Sequence, residues 1–319
     1  MPLPRLPEPL VGTLALVGIG LIGSSVARAT AQVGAAERIV ICESNPDALA
    51  RAEALGLGQS YTSSVAEAAA GADLIVLCTS VGAYAALAEA MAPALKPGAI
   101  VSDVGSVKSA VVADVAPRLP QGVHFVPGHP VAGTEQSGPD AGFATLFRNR
   151  WHILTPPPGT DAPAVAKVRA LWESFGANVE IMSPEHHDLV LAITSHLPHL
   201  IAYNIVGTAA DLEDSLRSEV LKFSAGGFRD FTRIAASDPT MWRDVFLHNK
   251  ESVLEMLGRF TEDLTALQRM IRRGDGQGLF DLFTRTRAIR RGIVEQGQET
   301  AAPDFGRRVG EAAEAPSRD

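Results

Sequence analysis

The chain has 319 residues, 46% of them hydrophobic, and a formal net charge of −8. That is enough apolar material for two ordinary cores, and it leaves no basic run for a nucleic-acid groove or an anionic membrane surface. The two cysteines, Cys42 and Cys78, fall inside predicted buried strands, so they offer neither a disulfide framework nor a metal spacing and suit a reducing cytoplasm.

Residues 1–9 contain four prolines and no apolar segment, so they read as a loose arm, neither signal peptide nor membrane anchor. From residue 13 the pattern alternates. Apolar runs at 13–18, 38–42, 73–78, 99–103 and 124–126, with a short run near 59–61, read as strands, and the segments between them carry helical periodicity. This rhythm predicts a doubly wound parallel sheet covered on both faces, a Rossmann-type α/β domain. Further strands are expected at 151–155 and 178–182 around a helix at 162–175. At Ser183-Pro184, an apt N-cap and first helical residue, the character changes to long helical patterns that continue to about residue 298. We therefore expect a dinucleotide-binding domain over 12–183, an all-helical domain over 184–298, and flexible tails at 1–11 and 299–319. The most membrane-like stretch, 189–206, contains Ser195, His196, Pro198 and His199, which are costly in lipid, so a helix pair buried in the protein fits better.

The first strand runs into Gly18-Ile19-Gly20-Leu21-Ile22-Gly23, the spacing G-x-G-x-x-G. Its glycines permit a tight turn, a close approach by a pyrophosphate and close packing of helix on strand, with the phosphates on the helix N-terminus. Glu43 closes the second strand, 20 residues past Gly23, where an acid accepts hydrogen bonds from the adenine ribose. Ligands of such sheets lie beyond the carboxyl ends of the strands, so Thr79 and Ser80, the loop 103–108 and the loop 127–133 should converge on the same crevice.

An alcohol-oxidising nicotinamide enzyme needs a base. His129, expected in a stiff loop between Gly128 and Pro130, is the first candidate, with an ordinary pKa of about 6.5. Ser106 could hydrogen-bond it or a substrate hydroxyl, and Lys108 beside it could equally face solvent. The histidines of His186-His187-Asp188 and Ser195-His196-Leu197-Pro198-His199 lack the acidic and thiol partners of a metal site. They suit a polar pocket for an anionic substrate, and we expect no metal. Arg229 and Arg233 follow a glycine pair, and either could grip a carboxylate with its planar fork of donors.

The motifs at 17–23, 103–108 (DVGSVK), 128–133 (GHPVAG), 195–199 (SHLPH) and 226–230 (GGFRD) occur in an order and spacing that resemble the prephenate and arogenate dehydrogenase family of tyrosine biosynthesis, over about residues 12–298. The resemblance implies NAD, with NADP as the alternative, and a homodimer formed by the helical domain. It implies oxidative decarboxylation of prephenate, arogenate or both to 4-hydroxyphenylpyruvate or tyrosine. It further implies that His129 takes the proton of the ring C4 hydroxyl, that Ser106 orients the exchange, that Arg229 binds a substrate carboxylate and that Ser195, His196 and His199 line the pocket. The acid-binding regulatory domain of some members has no counterpart here, and whether tyrosine acts as a feedback ligand stays open. Two other readings remain. One is a β-hydroxyacid dehydrogenase, whose lysine in the helical domain would have to be Lys222 or Lys250. The other is a nucleotide-sensing protein without catalysis.

Overall fold

The computed structural model describes residues 3–295 apart from 135, 212–218, 220–221 and 223–225; the predicted tail at 299–319 lies outside the described residues. Six strands form one parallel sheet: β1 (Val11–Val17), β2 (Ala36–Cys42), β3 (Ser60–Thr62), β4 (Leu74–Leu77), β5 (Ile100–Asp103) and β6 (His124–Val126), in the order β3-β2-β1-β4-β5-β6. The alternation of side chains places Leu14, Leu16, Leu74 and Val76 in the core on one face, and Ala15, Val17, Ile75 and Leu77 in the core on the other. A strand buried on both sides reads as a continuous apolar run because each face needs its own set. Strand order reverses between β1 and β4, so the loops leaving those strands open the crevice in which such folds bind ligands.

The amino-terminal arm differs from the expectation of a loose tail. Leu3 is buried, and the backbone N–H groups of Leu6 and Leu10 donate to Val33 and Ala35 at 2.8 Å each. Its leucines supply apolar contacts that the prolines obscure in sequence, and they pack over the end of helix α1 (Leu21–Val33).

A second, three-stranded sheet follows, with β7 (Gly128–Pro130) antiparallel to β8 (Trp151–Leu154) and β8 parallel to β9 (Asn178–Ile181). His129 thus sits in a short strand paired with Ile153, and the expected loop is absent. The pairing is invisible locally because 20 residues separate Pro130 from Trp151. Part of that connection straps over α1: the Phe143 N–H donates to Ser25 Oγ at 3.1 Å, and Arg28 donates to the Pro139 carbonyl at 3.3 Å.

Beyond Ser183, whose Oγ accepts from the His186 N–H at 3.2 Å, the helix Pro184–Leu191 leads through a π-helical turn at Ala192–His196 into the helix Leu197–Ala210. Pro198 does not interrupt the helical path. The wider turn shifts the bonding by one residue just ahead of a proline that has no N–H to give, so the helical path continues. By length and composition Pro184–Ala210 is apolar enough to cross a membrane. Here its polar members His187, Asp188 and His196 are buried against the rest of the chain, while Leu189, Ile193, Ile205 and Val206 are exposed. Helices Pro239–His248, Lys250–Arg273 and Gly276–Glu295 complete the described chain. Trp242 and Val245 of the first of these pack into the core beside Val81 and Tyr84, locking the helical part onto the loop after β4.

Candidate active site

The glycine turn has the geometry a dinucleotide needs. Gly18 has φ +95°, and a Cβ there would lie 2.8 Å from the Cys78 backbone and from Thr79, so the turn and its approach to β4 both require glycine. A Cβ on Gly23 would lie 2.1 Å from the Gly18 carbonyl oxygen, which brings helix and strand together. A Cβ on Gly20 would meet nothing within 4 Å. The space in front of it is open, as a pyrophosphate resting on the backbone would need. No side chain caps α1 and no acid stands in its first turn, so its amino-terminal N–H groups and dipole are available to an anion. Glu43 is held at the mouth of the turn: its Oε2 accepts from the Ile19 N–H at 3.1 Å and its Oε1 from the Asn45 N–H at 2.9 Å. These residues fit NAD.

The loop after β5 and the short strand β7 meet the helix Pro184–Leu191 in a chain of buried polar groups. His129 Nδ1 lies 2.8 Å from His187 Nε2, and His187 Nδ1 lies 2.9 Å from Asp188 Oδ1. Asp188 also accepts from the Lys108 N–H and the Ser109 N–H, each at 2.8 Å. Burial pushes the Asp188 carboxyl up, but hydrogen bonds from His187, Ser109 and Lys108 outweigh it and hold the group below its ordinary value. A carboxylate only accepts, so His187 carries its proton on Nδ1 and donates it. Burial keeps His187 neutral despite that carboxylate, which leaves Nε2 as a lone pair, and the contact at 2.8 Å then requires the proton of His129 on Nδ1. Burial, followed by His187 and Lys108, holds His129 well below its usual pKa. The unprotonated nitrogen of His129 is therefore Nε2, which makes it a proton acceptor.

His196 is set the other way. Its Nδ1 lies 3.0 Å from Asn249 Nδ2, which also donates to the Asp188 carbonyl at 2.8 Å. An amide nitrogen only donates, so Nδ1 accepts and Nε2 carries the proton. That N–H closes no hydrogen bond of good geometry, with the Ser106 backbone as its electrostatic neighbour. Burial pulls the His196 pKa down to about 4. The site thus places one imidazole acceptor and one imidazole donor near the same loop.

The remaining predicted residues fall in three places. Ser106 is half-buried at that loop, and Ser195 lies in the π turn, where its carbonyl accepts from His199 Nδ1 at 2.8 Å. His199 stacks on Trp242 with ring centroids 3.7 Å apart. Arg229 stands apart from this cluster, exposed on the helix Gly226–Thr232 and paired with Asp230 at 3.1 Å. Arg233 lies near enough to His199 to help lower its pKa, behind the effect of burial. Lys108, which could have faced solvent, is fully buried against Asp103. Asp103 opens the motif at 103–108, and His187 and Asp188 belong to a cluster read as pocket lining, but none of these hydrogen-bonding roles was readable in the sequence; the buried, helix-flanking position of Asn249 emerges only with the packing. Among the described residues no three of His, Cys, Asp and Glu group to hold a metal ion.

Residues 26–181 match the family model described as prephenate dehydrogenase, nucleotide-binding domain, and residues 183–285 match the one described as prephenate dehydrogenase, dimerization domain. The cyclohexadienyl dehydrogenase of Zymomonas mobilis is 44% identical over 277 residues, spanning 87% of this chain and 94% of that protein. The prephenate dehydrogenase of Bacillus subtilis is 35% identical over 298 residues, 92% of this chain and 79% of that one. Among solved structures, prephenate dehydrogenase from Aquifex aeolicus in complex with hydroxyphenyl propionate and NAD+ matches with a TM-score of 0.82 at 35% identity, covering 88% of this chain and 98% of that chain. By the two family models, the long relatives and the shared fold, this chain belongs to the prephenate dehydrogenase family.

Proposed function

We propose that this protein oxidatively decarboxylates prephenate, arogenate or both with NAD, giving 4-hydroxyphenylpyruvate or tyrosine. The observation that carries the mechanism is the chain Asp188–His187–His129, which leaves a lone pair on His129 Nε2. When bound over Gly18 to Gly23, with Glu43 on its ribose and Thr79 and Ser80 opposite, NAD supplies the acceptor for the hydride leaving ring C4. His129 takes the proton of the C4 hydroxyl as that carbon is oxidised, and Asp188 stabilises the positive charge shared by the two imidazoles. The bond from the ring to its carboxylate then breaks. Its electron pair enters the ring as the C4 carbonyl becomes a phenol oxygen that takes the proton back from His129, and carbon dioxide leaves, which makes the reaction one-way. Ser106 and the donor N–H of His196 orient the hydroxyl, and Ser195 and His199 line the pocket. A β-hydroxyacid dehydrogenase is less well supported, since Lys250 is exposed beside Glu251 at 3.4 Å.

The decisive assay follows reduced cofactor with prephenate and arogenate, each with NAD and with NADP. We expect turnover with at least one acid and a higher kcat/KM for NAD, because the Glu43 carboxylate repels a 2′-phosphate. No turnover with either acid would return the protein to the class of nucleotide-binding proteins without catalysis. Adding tyrosine to the same assay tests it as a feedback ligand.

Arg229 is the proposed anchor for the ring carboxylate, exchanging Asp230 for the substrate. A charge-assisted contact of this kind is worth about 1.5–3 kcal/mol, so Arg229→Ala should raise KM by roughly tenfold or more with little change in kcat, since a clamp on the departing carboxylate aids binding more than its loss. An unchanged KM would shift the role to Arg233.

We also propose a cytoplasmic homodimer. Leu254, Leu264, Ile271, Phe280, Phe283 and Ile289 are exposed on the last two helices, within or beside the segment that matches the dimerization model, and such apolar surface marks an interface. Light scattering should give twice the chain mass, and Phe280→Glu with Phe283→Glu should give the monomer. A monomeric parent at micromolar concentration would refute this assignment.

A further inference from the structure

The ion pair of Lys108 and Asp103 is fully buried, with Nζ 2.5 Å from Oδ2. Withdrawing two charges from water is expensive, and such a pair is weak evidence for stability as such. Lys108 has no exposed surface, so it neither touches substrate nor exchanges protons with solvent. What the pair does hold is Gly128. Lys108 Nζ donates to the Gly128 carbonyl at 2.8 Å, and the Gly128 N–H donates to Asp103 Oδ1 at 3.1 Å. Asp103 is itself fixed by the Gly105 N–H, which donates to Oδ2 at 2.7 Å. The third side of Gly128 is closed by His152, whose Nε2 lies 2.5 Å from where a Cβ would stand. His152 cannot retreat freely, because it stacks on Trp172 with ring centroids 3.8 Å apart.

We infer that Asp103 and Lys108 are a positioning pair for the base: they grip both polar groups of Gly128 and so set the place of His129 against His187. The same loop holds the other end of the chain, since the main-chain N–H groups of Lys108 and Ser109 carry Asp188. One segment, 103–109, thus fixes His129 through side chains and the His187–Asp188 pair through backbone. The contact of 2.8 Å between the two imidazoles depends on both. β7 is only three residues long, so strand pairing supplies few bonds of its own to hold the histidine. Lys108 has a second effect: its charge, with His187, His196 and His152, disfavours a charged His129, while Asp103 and Asp188 are the anions nearby.

The inference rests on His129 being the base, and three variants separate the two claims. In Lys108→Met and Asp103→Asn we expect kcat to fall on the order of ten- to a hundred-fold, the scale of a small misplacement of a catalytic group. The KM for the cyclohexadienyl acid and the Kd for NAD should stay within about threefold of the parent, because neither residue touches a ligand. In Lys108→Met the acid limb of the kcat/KM profile should also move to higher pH, since a cation near His129 is lost and Asp103 remains. A role in folding alone would not move that limb. Asp103→Asn is isosteric and lets Lys108 shed its proton, so it decides the matter if Lys108→Met fails to fold. The positioning role is overturned if Asp103→Asn, binding NAD as the parent does, keeps kcat within about twofold while His129→Asn is inactive. If His129→Asn keeps its rate, the base assignment fails instead.

Discussion

Replacing His129 with Asn is expected to lower kcat by on the order of 10²-fold or more, the usual contribution of a positioned base, while the Kd for NAD stays unchanged. Asn preserves a polar group near the position of Nδ1 but offers no basic nitrogen where Nε2 stood, so the C4 hydroxyl keeps its proton as the hydride leaves. The same residue sets the pH dependence. Catalysis needs neutral His129, and burial together with His187 and Lys108 places its pKa well below the ordinary value. Activity should therefore hold as pH falls through about 6.5, the free histidine value, and decline only below it. An acid limb above that value, or near-parental turnover in His129→Asn, would remove the residue from the role. Steady-state rates across pH, with NAD binding followed by fluorescence, read both.

Asp188→Asn should have the second largest effect. Asp188 accepts three hydrogen bonds, from His187 Nδ1, the Lys108 N–H and the Ser109 N–H. An amide has one oxygen, so in either orientation its NH2 group faces a donor, the Ser109 N–H on one side or the Lys108 N–H and His187 on the other. If its nitrogen turns toward His187, the imidazole reverses its tautomer, Nε2 becomes a donor, and His129 loses the lone pair on Nε2. If it turns toward Ser109, the tautomer survives but the charge that stabilises the protonated imidazoles is gone. In either case we expect kcat to drop by about 10²-fold, as when a base is left in the wrong tautomer or unsupported. The fold should also weaken by about 1–3 kcal/mol from an unpaired buried group. Thermal unfolding and kcat measured on the same preparation test this. Loss of stability with unchanged kcat would make Asp188 a structural residue only.

The glycine turn was legible because its chemistry is local. Three glycines at fixed offsets, a following helix and an acid after the next strand lie within about thirty residues, each answering to one step of the same turn. The sheet was equally legible, since a strand buried on both faces writes itself as an unbroken apolar run. His129 stood out by its flanking glycine and proline as a candidate, although its strand was missed because its partner lies beyond a long connection. Asn249 and the His187–Asp188 pair resisted. Their meaning depends on which nitrogen faces which oxygen across elements distant in sequence, and a histidine next to an aspartate carries no sign of its tautomer. Lys108 shows the same limit from the other side: a lysine at a helix start normally belongs in water, and only the partnership with Asp103 and Gly128 explains one that is buried. Arg229 remains the least constrained of the predicted residues, since its present partner is its own neighbour Asp230.

The base and its support come from different parts of the chain. His129 belongs to the strand after the nucleotide-binding sheet, while His187 and Asp188 belong to the first helix beyond it. Should the two parts draw apart, the glycine turn would still hold NAD, but His129 would lose the partner that decides where its proton sits. A free imidazole chooses between two tautomers, and one of them cannot accept the substrate proton at Nε2. The packing of the helical part on the nucleotide-binding part thus does more than shape a cleft: it sets which nitrogen of His129 is free, so the tautomer of the base is a property of the interface between the two parts.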